Sequence, residues 1–402
     1  MNIIIAFMYI FGFKISIIDS TILIGVILTG YMLCNKRYLN IFIKKISNKN
    51  FIYFSIAFAL LFVWSLIAIE INQTQDFTYI KVLVHLIIVL CIGYEIISFY
   101  ELKGKKNEIV NYIIISFIIQ SIFQWIFFIF PSLSKVFNIF RSQSMIQNSI
   151  KYSGYRGIAI TTSGFFSLSS AYAFTIVLFF TKYNTIIFKN KIIKYICFLI
   201  LLSGTFFAGR TGFLGLVFAL ILILFRKRNK IRILKFKEVL AILMIILVIV
   251  NFFNLGKKNK RITQLYNFAF ELVNNYNKGK GLTTTSTTKL LKMYKREISL
   301  KTFIIGDGKY TIVNSDGKTS YYMNTDVGYI RKILYFGSIG LVFSLIFQYY
   351  LFGKSKKTKE GLLFLLLLMV LELKGEIIGL NIMVNSIVIL YSNVDFNRKD
   401  EK

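Results

Sequence analysis

The sequence predicts an all-α fold: a polytopic membrane bundle of about eleven or twelve transmembrane helices, with one large external loop containing amphipathic helices. Three observations predict it. Of the 402 residues, 56% are hydrophobic, more than a soluble domain of this length could cover with polar surface. Apolar runs of membrane-spanning length recur along the whole chain. The 49 Lys and Arg residues, which bring the formal charge to +31, fall mostly in short connectors between those runs, where positive charge fixes orientation on the cytoplasmic side. That distribution argues for a lipid bilayer as partner and against nucleic acid.

Taken in order, the runs place spans near Ile15–Cys34, Phe51–Ile69, Tyr79–Ser98, Ile109–Phe130, Thr162–Thr181, Ile192–Phe207, Gly212–Phe225 and Val239–Phe253. After a polar interval they resume near Tyr329–Phe352, Leu362–Leu373 and Ile377–Tyr391. The segment Asn2–Phe13 is short and apolar and reads as a further span or a re-entrant element. No signal-peptide cleavage pattern precedes the first run, which is expected to stay as an uncleaved anchor. Pro131 closes an apolar run and opens a loop.

Dense basic connectors mark every second loop: Lys36 to Lys49, Lys103 to Lys106, Lys182 to Lys194, Arg226 to Lys237, and Lys354 to Lys359. By the positive-inside rule these are cytoplasmic. The loop Pro131–Thr161, the interval from Asn254 to Gly328 and the turn around Lys374 then face outward. The long loop is itself basic, but loops beyond about 60 residues cross regardless of charge. The chain thus divides into transmembrane helices over 1–253, the large external loop 254–328, and C-terminal helices with a short cytoplasmic tail over 329–402. Within the loop, Ile262, Leu265, Tyr266, Ala269, Leu272, Val273 and Tyr276 repeat with helical spacing. So do Leu290, Leu291, Tyr294 and Ile298, set among Lys289, Lys292, Lys295 and Arg296. Between the two stripes, the glycines at 279 and 281 and a Thr-rich run read as a flexible link.

The candidates for chemistry are charged residues on the outward side. Arg210 lies in Gly209-Arg210-Thr211-Gly212 with apolar sequence on both sides. A guanidinium at such a place faces a wet cavity or a functional partner, or else snorkels as structure. Its planar fork matches phosphate, and flanking glycines let a ligand approach. Arg156 in Tyr155-Arg156-Gly157, Lys374 beside Gly375, and Arg296 are the further basic candidates for an anionic headgroup. Asp307 in Gly306-Asp307-Gly308 is a turn carboxylate and a candidate substrate contact. Asp326, where the long loop re-enters a span, reads as a general base or as the N-cap of that span. Arg331 and Lys332, just inside it, read as interfacial anchors.

Other devices are missing. The sequence offers no Walker loop, no His-rich metal spacing and no Ser-His-Asp set, so neither a metal nor a cofactor is expected. The single His85 sits mid-span, as a satisfied interhelical residue does. Cys34, Cys91 and Cys197 lie in or beside apolar runs, not in a disulfide or metal pattern.

These features together resemble the bacterial O-antigen polymerase (Wzy) family, within the O-antigen polymerase and ligase superfamily. The resemblance is sharpest at Tyr155-Arg156-Gly157, at Ser203–Leu214, and over Ile305–Gly340 with Gly306-Asp307-Gly308, Thr325-Asp326-Val327-Gly328-Tyr329 and Phe336-Gly337-Ser338-Ile339-Gly340. It implies a glycosyltransferase of the bacterial plasma (inner) membrane, with its large loop on the periplasmic side. Such an enzyme moves a growing glycan from undecaprenyl diphosphate onto a lipid-linked repeat unit. Arg156 and Arg210 would hold the diphosphate, and a chain-length regulator would be an expected partner. The ligase branch carries a histidine in its external loop, and this loop has none. A ligase, or a flippase for lipid-linked oligosaccharide, are the competing readings; a flippase would show two comparable halves.

Overall fold

The computed structural model of the chain describes residues 1–184, 191–227, 260–279, 281, 283–314 and 319–394. The expected span Val239–Phe253 lies outside the described residues. In chain order the first elements are α1 (Asn2–Phe11), β1 (Lys14–Ile15), β2 (Ile18–Asp19), α2 (Ser20–Cys34), α3 (Lys36–Ile46), α4 (Lys49–Asn72), α5 (Thr78–Leu102) and α6 (Ile109–Ile129). Then come α7 (Pro131–Val136), α8 (Gln143–Lys151), α9 (Phe165–Phe179), α10 (Lys191–Ala208), α11 (Leu214–Lys227), α12 (Lys260–Ala269) and α13 (Glu271–Asn277). The last are α14 (Thr285–Tyr294), α15 (Leu300–Ile304), β3 (Thr311–Val313), β4 (Thr319–Tyr321), α16 (Gly328–Leu351), α17 (Lys359–Glu372) and α18 (Ile382–Ser392).

The fold is predominantly helical, its described strands confined to two antiparallel hairpins. Among the described residues, four helical stretches are long and apolar enough to cross a membrane: Lys49–Asn72, Thr78–Leu102, Lys106–Ile129 and Gly328–Leu351. Other expected spans are shorter apolar helices. The run that began at Ile15 opens as a hairpin, because Gly12 turns the chain in the left-handed region at φ 51° after α1. Helix α2, which leaves that hairpin, has 15 residues, as does α9. At 1.5 Å per residue such a helix reaches about 22 Å, against about 30 Å of hydrocarbon. Helix α1, at ten residues, is shorter still.

The chain forms two compact units. One comprises Ile3–Ser20 and Asn111–Thr284; the other comprises Thr21–Val110 and the described residues from Thr285 on. The boundary in the long loop falls in its Thr-rich run, so its helices divide between the units.

In the first unit α9 packs against both α10 and α11. A second cluster joins Phe127, Phe128, Ile158, Ile160, Phe206, Phe207 and Leu265, with Ile262, Tyr266 and Ala269 packed on it. The first amphipathic stripe of the loop thus packs over its first half only: the helix breaks at Phe270, and Leu272, Val273 and Tyr276 beyond it are exposed. This cluster fixes three pieces of backbone at once: the loop carrying Arg156, the end of α10 before Arg210, and α12.

In the second unit α4 runs along α16, and α5 packs on α3 and α18. Helix α16 kinks at Phe336–Gly337, where Gly337 has φ 69°. The kink turns carbonyls out of the helical ladder, and buried carbonyls need donors. Asp307 N donates to Leu334 O at 2.7 Å and Gly308 N to Tyr335 O at 2.9 Å. Trp64 Nε1 donates to Phe336 O at 2.8 Å. A Cβ on Gly337 would sit 2.0 Å from Ile304 O. The Gly306-Asp307-Gly308 turn and the Phe336-Gly337 pair are therefore one joint. Leu290 and Ile298 of the second stripe, together with Met293, pack on Val327, Ile330 and Leu334, while Leu291 and Tyr294 are exposed.

Candidate functional site

Helix α10 ends at Ala208, and a 3-10 turn over Arg210–Phe213 leads into α11. Gly212 keeps this turn tight: a Cβ there would lie 2.7 Å from Thr205 Cγ2. The turn presents Arg210 toward α13, where Nη1 meets Glu271 Oε2 at 2.6 Å. Its guanidinium lies over the Phe268 ring at 4.8 Å.

Arg156 arrives from the loop between α8 and α9. Its guanidinium stacks on three rings, Tyr152 at 4.9 Å, Phe165 at 4.6 Å and Phe268 at 4.2 Å. Nη2 donates to Ala208 O at 3.1 Å, the last carbonyl of α10. Nε is buried and finds no acceptor among the described residues. Burial pushes the Arg156 pKa down to about 10, and the charge of Arg210 works in the same direction. Phe268 thus brings two sequence-predicted residues together on one ring. Among the described residues, their immediate surroundings hold two cations and one carboxylate, with a buried donor unsatisfied. Such a cluster gains most from an anion that can accept several hydrogen bonds.

Arg141, which the sequence pattern does not single out, shows what a satisfied arginine looks like in the same unit. It is buried, with Nη2 donating to Ile158 O at 2.6 Å and Nε to Ala159 O at 3.1 Å. Nη1 donates to Ser134 Oγ at 2.9 Å and Asn138 Oδ1 at 3.1 Å. It clamps the loop that leads from Arg156 into α9. Beside it opens a cavity of about 860 Å³ whose walls include Phe127, Lys135, Asn138, Ser153, Arg261 and Gln264.

The other predicted site residues belong to the second unit. Asp307 accepts from Thr302 Oγ1 at 2.7 Å and from Tyr322 OH at 3.2 Å, beside the α16 joint. Burial, and then the Asp307 charge, raise the Tyr322 phenol pKa. Asp326 is exposed and lines a cavity of about 490 Å³ with Thr311, Ser320, Tyr321 and Asn324. It does not cap α16: the N-cap is Val327, with no side-chain hydrogen bond. Lys374 is half-buried on the turn after α17, and Arg296 is half-buried between α14 and α15.

Arg331 and Lys332, expected at the interface, are instead buried and paired. Arg331 Nη1 meets Glu376 Oε2 at 2.7 Å, with its guanidinium over Tyr310 at 3.9 Å and Tyr321 at 3.6 Å. Tyr310 OH donates to the same Glu376 oxygen at 2.7 Å. Lys332 and Glu372 pair with both side chains fully buried. Glu372 Oε2 also accepts from Ile377 N at 2.7 Å and Ile378 N at 2.8 Å, holding the turn before α18. Sequence reading missed this burial because the carboxylate partners lie more than a helix away. The usable signal was the carboxylates themselves: Glu372 ends one apolar run and Glu376 stands just before the next. Among the described residues, no group of three or more His, Cys, Asp or Glu gathers as a metal site.

Comparisons of the chain with protein-family models, curated proteins and solved structures find no match.

Proposed function

We propose that this chain is an integral-membrane glycosyltransferase that polymerises repeat units carried on undecaprenyl diphosphate, with Arg156 and Arg210 holding the diphosphate. The observation that carries the reading is the Arg156 Nε, a buried guanidinium donor without an acceptor beside a second guanidinium. A diphosphate supplies the missing acceptors and the missing charge. As the acceptor hydroxyl attacks the anomeric carbon, the glycosyl–phosphate bond breaks and its electron pair leaves with the lipid diphosphate. The departing oxygen gains charge, so preorganised guanidinium groups bind the transition state more tightly than the substrate. The hydroxyl proton passes to a carboxylate; Asp326, the candidate from the sequence, belongs to the second unit, where Asp307 is already engaged by Thr302 and Tyr322.

The membrane setting belongs to the same proposal. The four long apolar stretches support membrane insertion, while the bacterial plasma membrane and about eleven or twelve crossings rest on the apolar runs and alternating basic connectors of the sequence. The large loop is then external, and a chain-length regulator is a partner. The test is the lipid-linked glycan profile of cells lacking the chain, complemented with the parent, Arg210→Ala or Arg210→Lys. We expect single repeat units from the deletion and from Arg210→Ala. Little rescue is expected from lysine, which offers a point charge and no fork. Long glycan from Arg210→Ala at parental protein level would overturn the assignment. Accumulation of substrate on the cytoplasmic face would indicate a flippase instead.

A further inference from the structure

Helix α12 meets two different features along one face, the arginine pair and a cavity. Arg261, Gln264 and Phe268 are spaced by three and four residues, which places them in one row. Phe268 ends the row under the two arginines, while Arg261 and Gln264 line the cavity of about 860 Å³. Seven residues of helix separate Arg261 from Phe268, about 10 Å at 1.5 Å per residue. The opposite wall includes Ser153 and Gly154, the residues just before Tyr155-Arg156. Gly154, at φ 73°, lets the chain run close to Arg261: a Cβ there would lie 3.4 Å from Nη2.

The lining has the mixed character of a sugar site. Ser134, Asn138, Ser149 and Gln264 offer hydroxyls and amides, and Phe127 and Ile146 offer apolar walls. Gln264 Oε1 is buried with no donor among the described residues, so a ligand hydroxyl would satisfy it. The lining also contains two cations, Lys135 and Arg261, and no carboxylate among the described residues. Its volume lies within the roughly 300–1,000 Å³ of pockets that enclose small ligands.

We infer that this cavity receives the sugars next to the diphosphate, and that the glycan carries a carboxylate there, met by Arg261 and Lys135. The inference rests on the diphosphate reading and specifies its substrate: a repeat unit containing an acidic sugar. The carboxylate makes charge-assisted bonds that a neutral sugar cannot, so the site selects acidic over neutral repeat units.

The test uses the purified full chain in nanodiscs with three probes: tri-galacturonate, its neutral methyl ester, and inorganic pyrophosphate. We expect the acid to bind about tenfold or more tightly than the ester. Arg261→Gln combined with Lys135→Gln should erase that preference while pyrophosphate affinity stays within about twofold, the two ends of the row acting independently. Gln264→Leu should weaken acid and ester together. Equal affinity for acid and ester, or a preference that survives the double substitution, would overturn the inference. Parental protein that fails to bind pyrophosphate but prefers the acid would refute the diphosphate reading and leave the acidic-sugar site standing.

Discussion

Two arginines in this molecule are wrapped in aromatic rings, and they have opposite charge balances. Arg331 in the second unit faces Tyr310 and Tyr321 and is matched by Glu376, with Lys332 and Glu372 paired one residue on. Two cations meet two carboxylates. Arg156 in the first unit faces Tyr152, Phe165 and Phe268 beside Arg210, and among the described residues the pair share one carboxylate, Glu271. The difference separates structure from binding. The balanced set also leaves Arg331 Nη2 and Glu376 Oε1 without a partner among the described residues, so it is the charge balance that sets the two apart. A set that carries one charge too many among the described residues would gain from an anion, since burying uncompensated charge is costly.

The contrast is sharpest under substitution. Lys332→Met leaves Glu372 buried without its cation and should cost about 3–5 kcal/mol. A large drop in the thermal unfolding temperature of the purified protein would show it, and adding Glu372→Gln should recover most of the loss. Full stability in Lys332→Met alone would mean that the pair is not holding α16 to α17.

Next in size is Arg156→Ala, which we expect to fold to parental levels while polymer output falls about 10²–10³-fold, the usual effect of losing one preorganised donor. If melting falls instead, and in step with output, Arg156 belongs with Arg331 as structure and the comparison fails.

The carboxylates provide a third, smaller discrimination. Glu271 competes with any anion for Arg210, so Glu271→Gln should tighten pyrophosphate binding by about twofold to fivefold. Glu376→Gln should give no such gain and should lower the melting temperature. Weaker pyrophosphate binding in Glu271→Gln would make that carboxylate a positioning residue.

The smallest effect concerns pH. Burial works to raise the Asp76 pKa, but the hydrogen bonds from Thr311, Thr78 and Tyr310 outweigh it and hold the carboxyl below its ordinary 3.8. Asp76 Oδ2 accepts from Tyr310 N at 2.6 Å and Thr311 N at 2.9 Å. A depressed carboxyl contributes stability that is complete above its unfolded pKa and fades as pH falls through the folded one. Below pH 3.8 the second unit should therefore lose about 1 kcal/mol that Asp76→Asn has already lost at neutral pH. Unfolding temperatures from about pH 3 to 6 should converge for parent and variant; parallel curves would exclude Asp76 as the titrating group.

Much of the helix layout is legible in the residues. A break between α10 and α11 is expected between Phe207 and Gly212 and falls there, because Gly209 and Gly212 interrupt an apolar run. The stripe from Ile262 to Ala269 buries the face its spacing announces, whereas Leu272, Val273 and Tyr276, beyond the break at Phe270, stay exposed. Legibility stops where contacts between distant segments decide. The hairpin of β3 and β4 has strands of three residues, too short for alternation to announce. Asp326 sits where an N-cap would be read, yet Val327 opens the helix uncapped. Arg331 and Lys332 follow a pattern identical to that of interfacial anchors until Glu372 and Glu376 are brought beside them.

Helical periodicity, the apolar runs long enough to cross a membrane, and the glycine-flanked arginines with no local reason to exist were all written in the order of the residues. These are local properties, set by side-chain spacing and backbone freedom. Charge balance was not local, because whether a guanidinium is neutralised depends on carboxylates and rings brought from elsewhere in the chain. Folding gave Arg331 a matched partner, put Arg156 and Arg210 on one phenylalanine, and left a buried donor between them unanswered.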